Sequence, residues 1–209
     1  MAELSFVHRF EPARDRAAPP LLLLHGTGGD ESDLLELGRI VSPGSALLSP
    51  RGKVLEQGMP RFFRRLAEGV FDEDDVRGRA EELADFVEAA RARYDISKPV
   101  ALGYSNGANI AAAVMLLRPA ALAGGVLLRP MVPLQQPPLP DLTGMPVLIA
   151  SGARDPIAGV AEGSSLAAML SEAGASVDRQ ITPSGHELSQ ADVTLARDWL
   201  AKRVMAPTT

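Results

Sequence analysis

The sequence has 209 residues, of which 46% are hydrophobic and 22% are charged, proportions typical of a folded, soluble protein. This length is large for one domain and short for two, so we expect a single α/β domain over residues 1–209. The net charge of −5 argues against a nucleic acid or an anionic lipid as partner, because polyanion-binding proteins usually carry a basic surplus. Cysteine is absent, which excludes disulfides, thiolate metal sites and a cysteine nucleophile.

The N-terminal segment argues against export. Residues 1–20 include acidic and basic side chains where a signal peptide would have an uninterrupted apolar segment. The apolar run LLLLHG is short, and no apolar run in the sequence reaches the length that a bilayer crossing needs. We therefore expect a cytoplasmic protein without a membrane span.

Short apolar runs alternate with helical patterns along the chain. Residues 4–11 (LSFVHRFE) alternate apolar and polar side chains, which predicts a half-exposed edge strand. Residues 19–26 (PPLLLLHG) form a continuous apolar run, which predicts a buried strand. Residues 32–41 predict a helix with Ser32 as its N-cap, and residues 45–52 (SALLSPRG) predict another short strand.

The longest predicted helix runs from Asp72 to Tyr94. Its apolar residues recur on one helical face, and its acidic first turn suits the positive end of the helix dipole. The remaining predicted elements are strands over residues 98–105, 123–130, 145–152 and 175–185, and helices over residues 106–117, 162–174 and 189–204.

This alternation predicts an α/β fold with a mostly parallel sheet of about seven strands and helices on both faces. The connection from Pro130 to Met145 is short and proline-rich, so we expect no cap domain. Ligands of such sheets bind beyond the carboxyl ends of the strands. Functional residues are therefore expected in the loops at that edge.

The segment GYSNG lies between a predicted apolar strand and an alanine-rich helix. A serine at the tip of such a turn has a strained backbone, and the residues two positions before and after it must be small. Gly103 and Gly107 meet this requirement, so Ser105 is a candidate nucleophile. The alternative is a glycine-rich turn whose serine takes no part in chemistry.

A nucleophilic serine needs a base, and the base needs a carboxylate that orients it. Of the three histidines, His186 follows the last predicted strand, at the same sheet edge as Ser105. His8 lies on the edge strand, and His25 precedes a glycine-rich loop. Asp155 follows the strand before the last one and is the candidate carboxylate. The alternatives are a surface or capping role for the histidine and an ordinary Asp-Pro turn for the aspartate.

Acyl transfer also requires N–H donors for the oxyanion. The backbone N–H of Asn106, directly after the candidate nucleophile, is one candidate. The backbone N–H of Thr27, in the segment HGTGGD, is the other. A glycine-rich loop after a strand can also bind phosphate, but this loop has neither the dinucleotide-binding spacing nor the Lys-Ser/Thr of a P-loop.

Taken together, these motifs resemble the α/β-hydrolases and, within them, the phospholipase/carboxylesterase family that includes the acyl-protein thioesterases. The resemblance is carried, in the family's order, by LLLLHGTGGD, VALGYSNGAN, VLLRPMVPL, PVLIASGARDP and PSGHELS. The segment GMPRFFRRLAEGVFDEDD, residues 58–75, is similar to a bacterial subgroup associated with quinone and hydroquinone stress.

The resemblance implies a catalytic triad and an acyl-enzyme intermediate. In it, Ser105 would be the nucleophile, His186 the general base and then acid, and Asp155 the orienting carboxylate. Thr27 and Asn106 would donate to the oxyanion. Relatives are often dimers, so a homodimer is compatible with the resemblance.

We therefore expect a cytoplasmic serine carboxylesterase that acts on a small-molecule ester, of small to medium size, without a metal or other cofactor. One alternative is a thioesterase or lysophospholipase-like activity, which the sequence does not distinguish from ester hydrolysis. Another is a non-catalytic ligand-binding protein that retains the fold, because fold does not fix function.

The absence of a predicted cap domain favours a shallow, open pocket. Six apolar residues are candidates for its walls or, alternatively, for the core: Met59, Phe62, Phe63, Phe71, Met131 and Val132. Three arginines are interpreted as a solvated face rather than an anion clamp: Arg61, Arg64 and Arg65.

Overall fold

The computed structural model of the chain describes residues 4–203, which form strands and helices in alternation. The strands are β1 (His8–Glu11), β2 (Leu21–Leu24), β3 (Leu47–Pro50), β4 (Val54–Glu56), β5 (Met59–Arg61), β6 (Arg65–Ala67), β7 (Val70–Phe71), β8 (Val100–Tyr104), β9 (Gly124–Leu128), β10 (Pro146–Gly152) and β11 (Ser176–Thr182). The helices are α1 (Leu35–Val41), α2 (Glu73–Tyr94), α3 (Asn106–Leu117), α4 (Val160–Glu172) and α5 (Gln190–Arg203), with a short 3-10 helix at Pro119–Ala121.

Seven strands form one sheet in the order β1-β3-β2-β8-β9-β10-β11. β1 pairs antiparallel with β3 at one edge, and the other neighbouring strands are parallel. Helices α2, α3 and α4 pack on one face, and α1 and α5 pack on the other. The predicted α/β fold is therefore confirmed, as is the edge position of the first strand.

The leucines of β2 illustrate why this sheet requires apolar strands. Leu22 and Leu24 belong to the core cluster under α2 and α3, whereas Leu21 and Leu23 belong to the cluster under α1 and α5. Successive side chains on a strand point to opposite faces, so a strand covered on both sides buries every side chain. All four leucines are fully buried.

The segment between β3 and α2 folds into two hairpins, in which β4 pairs with β5 and β6 pairs with β7. The sequence pattern predicts no strand here, because each strand has only two or three residues and pairs outside the main sheet. Phe62 and Phe63 lie between the hairpins and are core residues. Phe71 and Val132, two of the other candidate wall residues, line a cavity of about 200 Å³.

Arg61 contradicts the interpretation of the RFFRR arginines as a solvated face. It is 3% exposed, and its guanidinium donates to Thr27 Oγ1 and to the Phe63 carbonyl oxygen rather than to solvent. The Arg64 side chain, at 61% exposure, fits the solvated interpretation.

The start of α1 also differs from the prediction. The helix begins at Leu35, and its N-cap position, Leu34, offers no side-chain acceptor. Ser32 is not the N-cap, because it lies in the preceding turn and donates its backbone N–H to Asp30 Oδ1 at 2.7 Å.

The other helix boundaries agree more closely with the sequence pattern. Asp72 caps α2 through its side chain, and α5 begins directly after Ser189. α4 begins at Val160, two residues earlier than predicted. The predicted end of the last helix, Val204, lies outside the described residues.

The connection from β9 to β10 contains neither a helix nor a strand, so no cap domain is inserted there. Of the helices within residues 4–203, none has both the length and the apolar content that a membrane span needs.

The turn between β8 and α3 packs directly against the end of β2. A Cβ atom on Gly107 would lie 1.9 Å from the carbonyl oxygen of Leu24. A Cβ atom on Gly103 would lie 2.5 Å from the carbonyl oxygen of Gly107. Backbone atoms cannot yield to such contacts without displacing the strand or the helix, so both positions require glycine.

We predict that Gly107→Ala lowers the free energy of unfolding by about 3 kcal/mol or more, because the new methyl group overlaps backbone atoms. The matched control is Gly78→Ala, in the exposed part of α2, where a Cβ atom meets nothing within 4 Å. This control should gain about 0.5–1 kcal/mol from better helix propensity. Urea denaturation of both variants measures the difference, and equal effects at the two positions would contradict the packing argument.

Candidate active site

The parallel strands bring several loops together at the carboxyl edge of the sheet. Ser105 follows β8, and Thr27 lies in the loop after β2, the strand beside it. Asp155 follows β10 and His186 follows β11, which is the next strand of the sheet. The sheet order therefore places these four predicted site residues on one edge.

Ser105 has a backbone conformation that non-glycine residues seldom adopt. Its φ and ψ are 52° and −114°, a conformation that costs about 1–3 kcal/mol. Its backbone N–H donates to the Leu128 carbonyl oxygen at 2.8 Å, which ties the turn to β9. The side chain is half-buried at the tip of the turn.

Ser105, His186 and Asp155 form a continuous hydrogen-bonded chain. His186 Nδ1 lies 2.9 Å from Asp155 Oδ2, and His186 Nε2 lies 3.0 Å from Ser105 Oγ. An ionised carboxylate only accepts, so Nδ1 carries the proton and Nε2 accepts from the serine hydroxyl. This tautomer leaves the imidazole able to take up the serine proton.

The Asp155 carboxylate is held in place from its other side. Its Oδ1 accepts the backbone N–H groups of Ile157 at 2.8 Å and Ala158 at 2.9 Å. The side chain is fully buried, whereas that of His186 is 19% exposed. The carboxylate is therefore fixed, and the imidazole faces the solvent-accessible side of the site.

Tyr104 also holds His186. Its hydroxyl donates to the His186 carbonyl oxygen at 3.1 Å, and the two ring centroids are 5.5 Å apart. Burial raises the pKa of the Tyr104 phenol. The sequence interpretation missed this residue, although it directly precedes Ser105 in the GYSNG segment.

The Thr27 loop is anchored to the first hairpin. Arg61 Nη1 donates to Thr27 Oγ1 at 2.8 Å, and the Gly28 N–H donates to the Pro60 carbonyl oxygen at 3.0 Å. Gly28 has a φ of 86°, in the region that favours glycine. The loop is therefore shaped by β5, an element that the sequence pattern does not predict.

Asn106 is the first residue of α3, so its backbone N–H has no acceptor within the helix. Its side chain is buried, and Oδ1 accepts the Phe62 N–H at 2.7 Å. Both candidate oxyanion donors thus have side chains that bind the segment around β5.

The other two histidines bind backbone or side-chain partners away from Ser105. His8 donates from Nδ1 to the Phe6 carbonyl oxygen and accepts from the Tyr94 hydroxyl, both at 2.7 Å. His25 is buried: Nδ1 donates to the Gly26 carbonyl oxygen at 2.7 Å, and Nε2 accepts the backbone N–H of residue 52 at 3.0 Å. Within residues 4–203, no three histidine, aspartate or glutamate side chains are grouped to hold a metal ion.

A profile of the phospholipase/carboxylesterase family matches residues 7–204. The chain belongs to this family. It is an ester hydrolase of the α/β-hydrolase fold, and the family resemblance inferred from the motifs is confirmed.

Bacterial proteins are among the relatives. The chain is 46% identical over 187 residues to MhqD of Bacillus subtilis (strain 168), which is named as a hydrolase, and the match covers 88% of this chain and 94% of MhqD. The structure of the Bacillus cereus carboxylesterase matches with 47% identity and a TM-score of 0.93, over 95% of both chains. A carboxylesterase from Mesorhizobium loti matches with 35% identity and a TM-score of 0.91, over 97% of both chains.

We predict that the buried His25 makes the fold sensitive to acid. Burial lowers the pKa of His25, although its bond with the Gly26 carbonyl opposes this effect. The unfolded chain therefore takes up the proton first, so the stabilisation is complete above about pH 6.5 and is lost as the pH falls through the folded-state pKa. We expect His25→Gln to lower the unfolding free energy near pH 7.5 and to weaken its fall toward about pH 5. Urea denaturation at both pH values measures this, and an unchanged pH dependence would contradict it.

Proposed function

We propose that the chain is a serine carboxylesterase that hydrolyses small to medium carboxylic esters through an acyl-enzyme on Ser105. The observation that carries this proposal is the hydrogen-bonded chain from Ser105 Oγ through His186 to Asp155, with distances of 3.0 and 2.9 Å. Each group has the partner that its role requires. A single domain over residues 1–209, a cytoplasmic location and a homodimer stay predictions.

The first half of the reaction acylates the serine. Ser105 Oγ attacks the ester carbonyl carbon while its proton passes to His186 Nε2. Asp155 stabilises the resulting imidazolium through Nδ1–H. The tetrahedral intermediate then collapses, the bond to the alcohol oxygen breaks, and His186 returns its proton to the leaving alcohol.

The second half releases the acid. A water molecule gives a proton to His186 Nε2 and attacks the acyl carbonyl carbon. The bond between that carbon and Ser105 Oγ breaks, the serine regains its proton from His186, and the carboxylic acid leaves. The side chains thus return to their starting protonation states.

The oxyanion of both intermediates would accept the backbone N–H groups of Asn106 and Thr27. The Asn106 N–H is supported by its place at the start of α3, where the helix dipole is positive. The Thr27 N–H is supported by the anchoring of its loop to β5 through Arg61. Preorganised donors are effective because they need no rearrangement as the charge develops.

The glycine-rich loop after β2 is better suited to this role than to phosphate binding. A phosphate cradle presents several consecutive backbone N–H groups to its ligand. Here the Gly28 N–H donates to the Pro60 carbonyl oxygen, and the Gly29 N–H donates to the Gly26 carbonyl oxygen. Two of the N–H groups that a phosphate would need are therefore already used within the protein.

We predict that Ser105→Ala lowers kcat for p-nitrophenyl esters by about 10⁴-fold or more, because it removes the attacking oxygen. The matched control is Ser165→Ala, at an exposed position of α4, which should keep the parent rate. An acyl-length series with thioester counterparts, run on the same proteins, measures chain-length preference and separates carboxylesterase from thioesterase activity. Equal rates for Ser105→Ala and the parent would refute the assignment of the nucleophile.

We also predict that Thr27→Val lowers kcat by roughly 10-fold with little change in KM, because the loop loses its bond with Arg61 and the N–H donor becomes less well placed. Thr27→Ser retains the hydroxyl and should recover most of the rate. The inhibition constant of a trifluoromethyl ketone, which mimics the tetrahedral intermediate, should rise in parallel with the loss of kcat. A Thr27→Val enzyme with the parent kcat and the parent inhibition constant would contradict this role of the loop.

A further inference from the structure

Arg129 is a buried charged residue at the carboxyl edge of the sheet. It directly follows β9, its side chain is fully buried, and its φ of 56° lies in a region that non-glycine residues seldom adopt. Its backbone N–H donates to the Ala150 carbonyl oxygen at 2.8 Å. A buried arginine in a strained conformation persists only where the surrounding groups hold it there.

Asp192 is the main partner of Arg129. Nη1 donates to Asp192 Oδ1 at 2.9 Å and Nη2 donates to Oδ2 at 2.7 Å, the paired geometry that makes arginine–carboxylate contacts strong and directional. Asp192 lies in the first turn of α5 and also accepts the backbone N–H and the hydroxyl of Ser189, at 2.8 and 2.7 Å. The ion pair therefore connects the end of β9 to the start of α5.

Nη1 also donates to the Ala150 carbonyl oxygen at 3.3 Å, and other donors of Arg129 bind the loop that carries His186. Nε donates to the Gly185 carbonyl oxygen at 2.9 Å, and Nη2 donates to Ser184 Oγ at 2.8 Å and to the Glu187 carbonyl oxygen at 3.4 Å. These acceptors flank His186 on both sides in the sequence. One guanidinium thus fixes the loop before and after the imidazole.

Arg129 also lies behind the carboxylate of the proposed triad. Its Nε is 4.0 Å from Asp155 Oδ2, the oxygen that accepts from His186 Nδ1. We propose that Arg129, held by Asp192, is a positioning residue that fixes the His186 loop and whose charge opposes protonation of the imidazole. This inference rests on the proposed function, because it assigns His186 the role of base.

Several charged or titratable groups lie near His186, and the sign of each charge decides whether the group favours or opposes protonation of the imidazole. Asp155, which accepts from Nδ1, and Glu187, the next residue of the same loop, favour the imidazolium, whereas Arg129, 4.0 Å from the Asp155 carboxylate, opposes it. Asp192 from α5 partly offsets Arg129, and the phenol of Tyr104 from β8 is neutral because burial raises its pKa. Burial raises the pKa of Asp192, but its bonds with Arg129 and Ser189 outweigh this and lower it, so this carboxylate stays ionised.

Because Arg129 and Asp192 carry opposite charges, replacing each of them should shift the pH profile of kcat/KM in opposite directions. The base must be neutral, so activity falls on the acid limb of the kcat/KM profile as the imidazole takes up a proton. Arg129→Met removes a positive charge and should move this limb to higher pH by about half to one unit. Asp192→Asn leaves the arginine uncompensated and should move the limb to lower pH. A purely structural role would lower activity without moving the limb in opposite directions.

Arg129→Lys separates the charge from the hydrogen-bonding geometry. It keeps the positive charge but loses the planar pair of donors. We expect its acid limb to stay at the parent position, while kcat falls by roughly 10-fold because the His186 loop is less well fixed. If Arg129→Met does not fold, the proposal is still tested by the shift to lower pH expected for Asp192→Asn and by the unshifted acid limb expected for Arg129→Lys.

The experiment measures kcat/KM against pH with p-nitrophenyl acetate for the full chain and these variants. The amplitude of the initial burst of p-nitrophenol gives the concentration of active enzyme in each preparation. The matched control is Arg118→Met, which removes an arginine paired with Glu81, Asp85 and Glu88 at the other end of α3 and should keep the parent limb. Acid limbs that do not move in Arg129→Met or Asp192→Asn would overturn the inference while the proposed function stands. Activity retained in Ser105→Ala would instead overturn the proposed function, and this inference with it.

Discussion

The close approach of the turn at Ser105 to the end of β2 is the constraint on which the rest of the site depends. Gly107 lies against the Leu24 carbonyl group with no room for a side chain, so the turn is pressed onto the sheet. Ser105 is thereby forced to a φ of 52° and presented at the tip of the turn. The strain costs about 1–3 kcal/mol, and the packing of β8 and α3 in the core offsets it.

The other site groups are fixed by polar contacts between loops that belong to different strands. The Thr27 loop is held by Arg61 and Pro60 of β5, and the Asp155 carboxylate is held by the N–H groups that follow it. Arg129 joins the loop around His186 to the start of α5. Loops that are anchored in this way share the rigidity of the sheet, which the proposed reaction at a single carbon requires.

The sequence predicted the sheet and the four site loops because their signals are local. Four apolar leucines indicate a buried strand wherever they lie, and glycines on both sides of Ser105 indicate the tight turn. The two hairpins between β3 and α2 were not predictable from pattern, since their strands are very short and pair only with each other. The burial of Arg129 was not predictable either, because its partner Asp192 lies 63 residues further along the chain.

The proposed mechanism requires that one serine at the carboxyl edge of the sheet becomes covalently acylated. Treatment with a fluorophosphonate, followed by intact-mass measurement and peptide mapping, identifies that serine. We expect one adduct per chain, located on Ser105, together with complete loss of ester hydrolysis. An adduct on another residue, or ester hydrolysis that persists when Ser105 is modified, would contradict it.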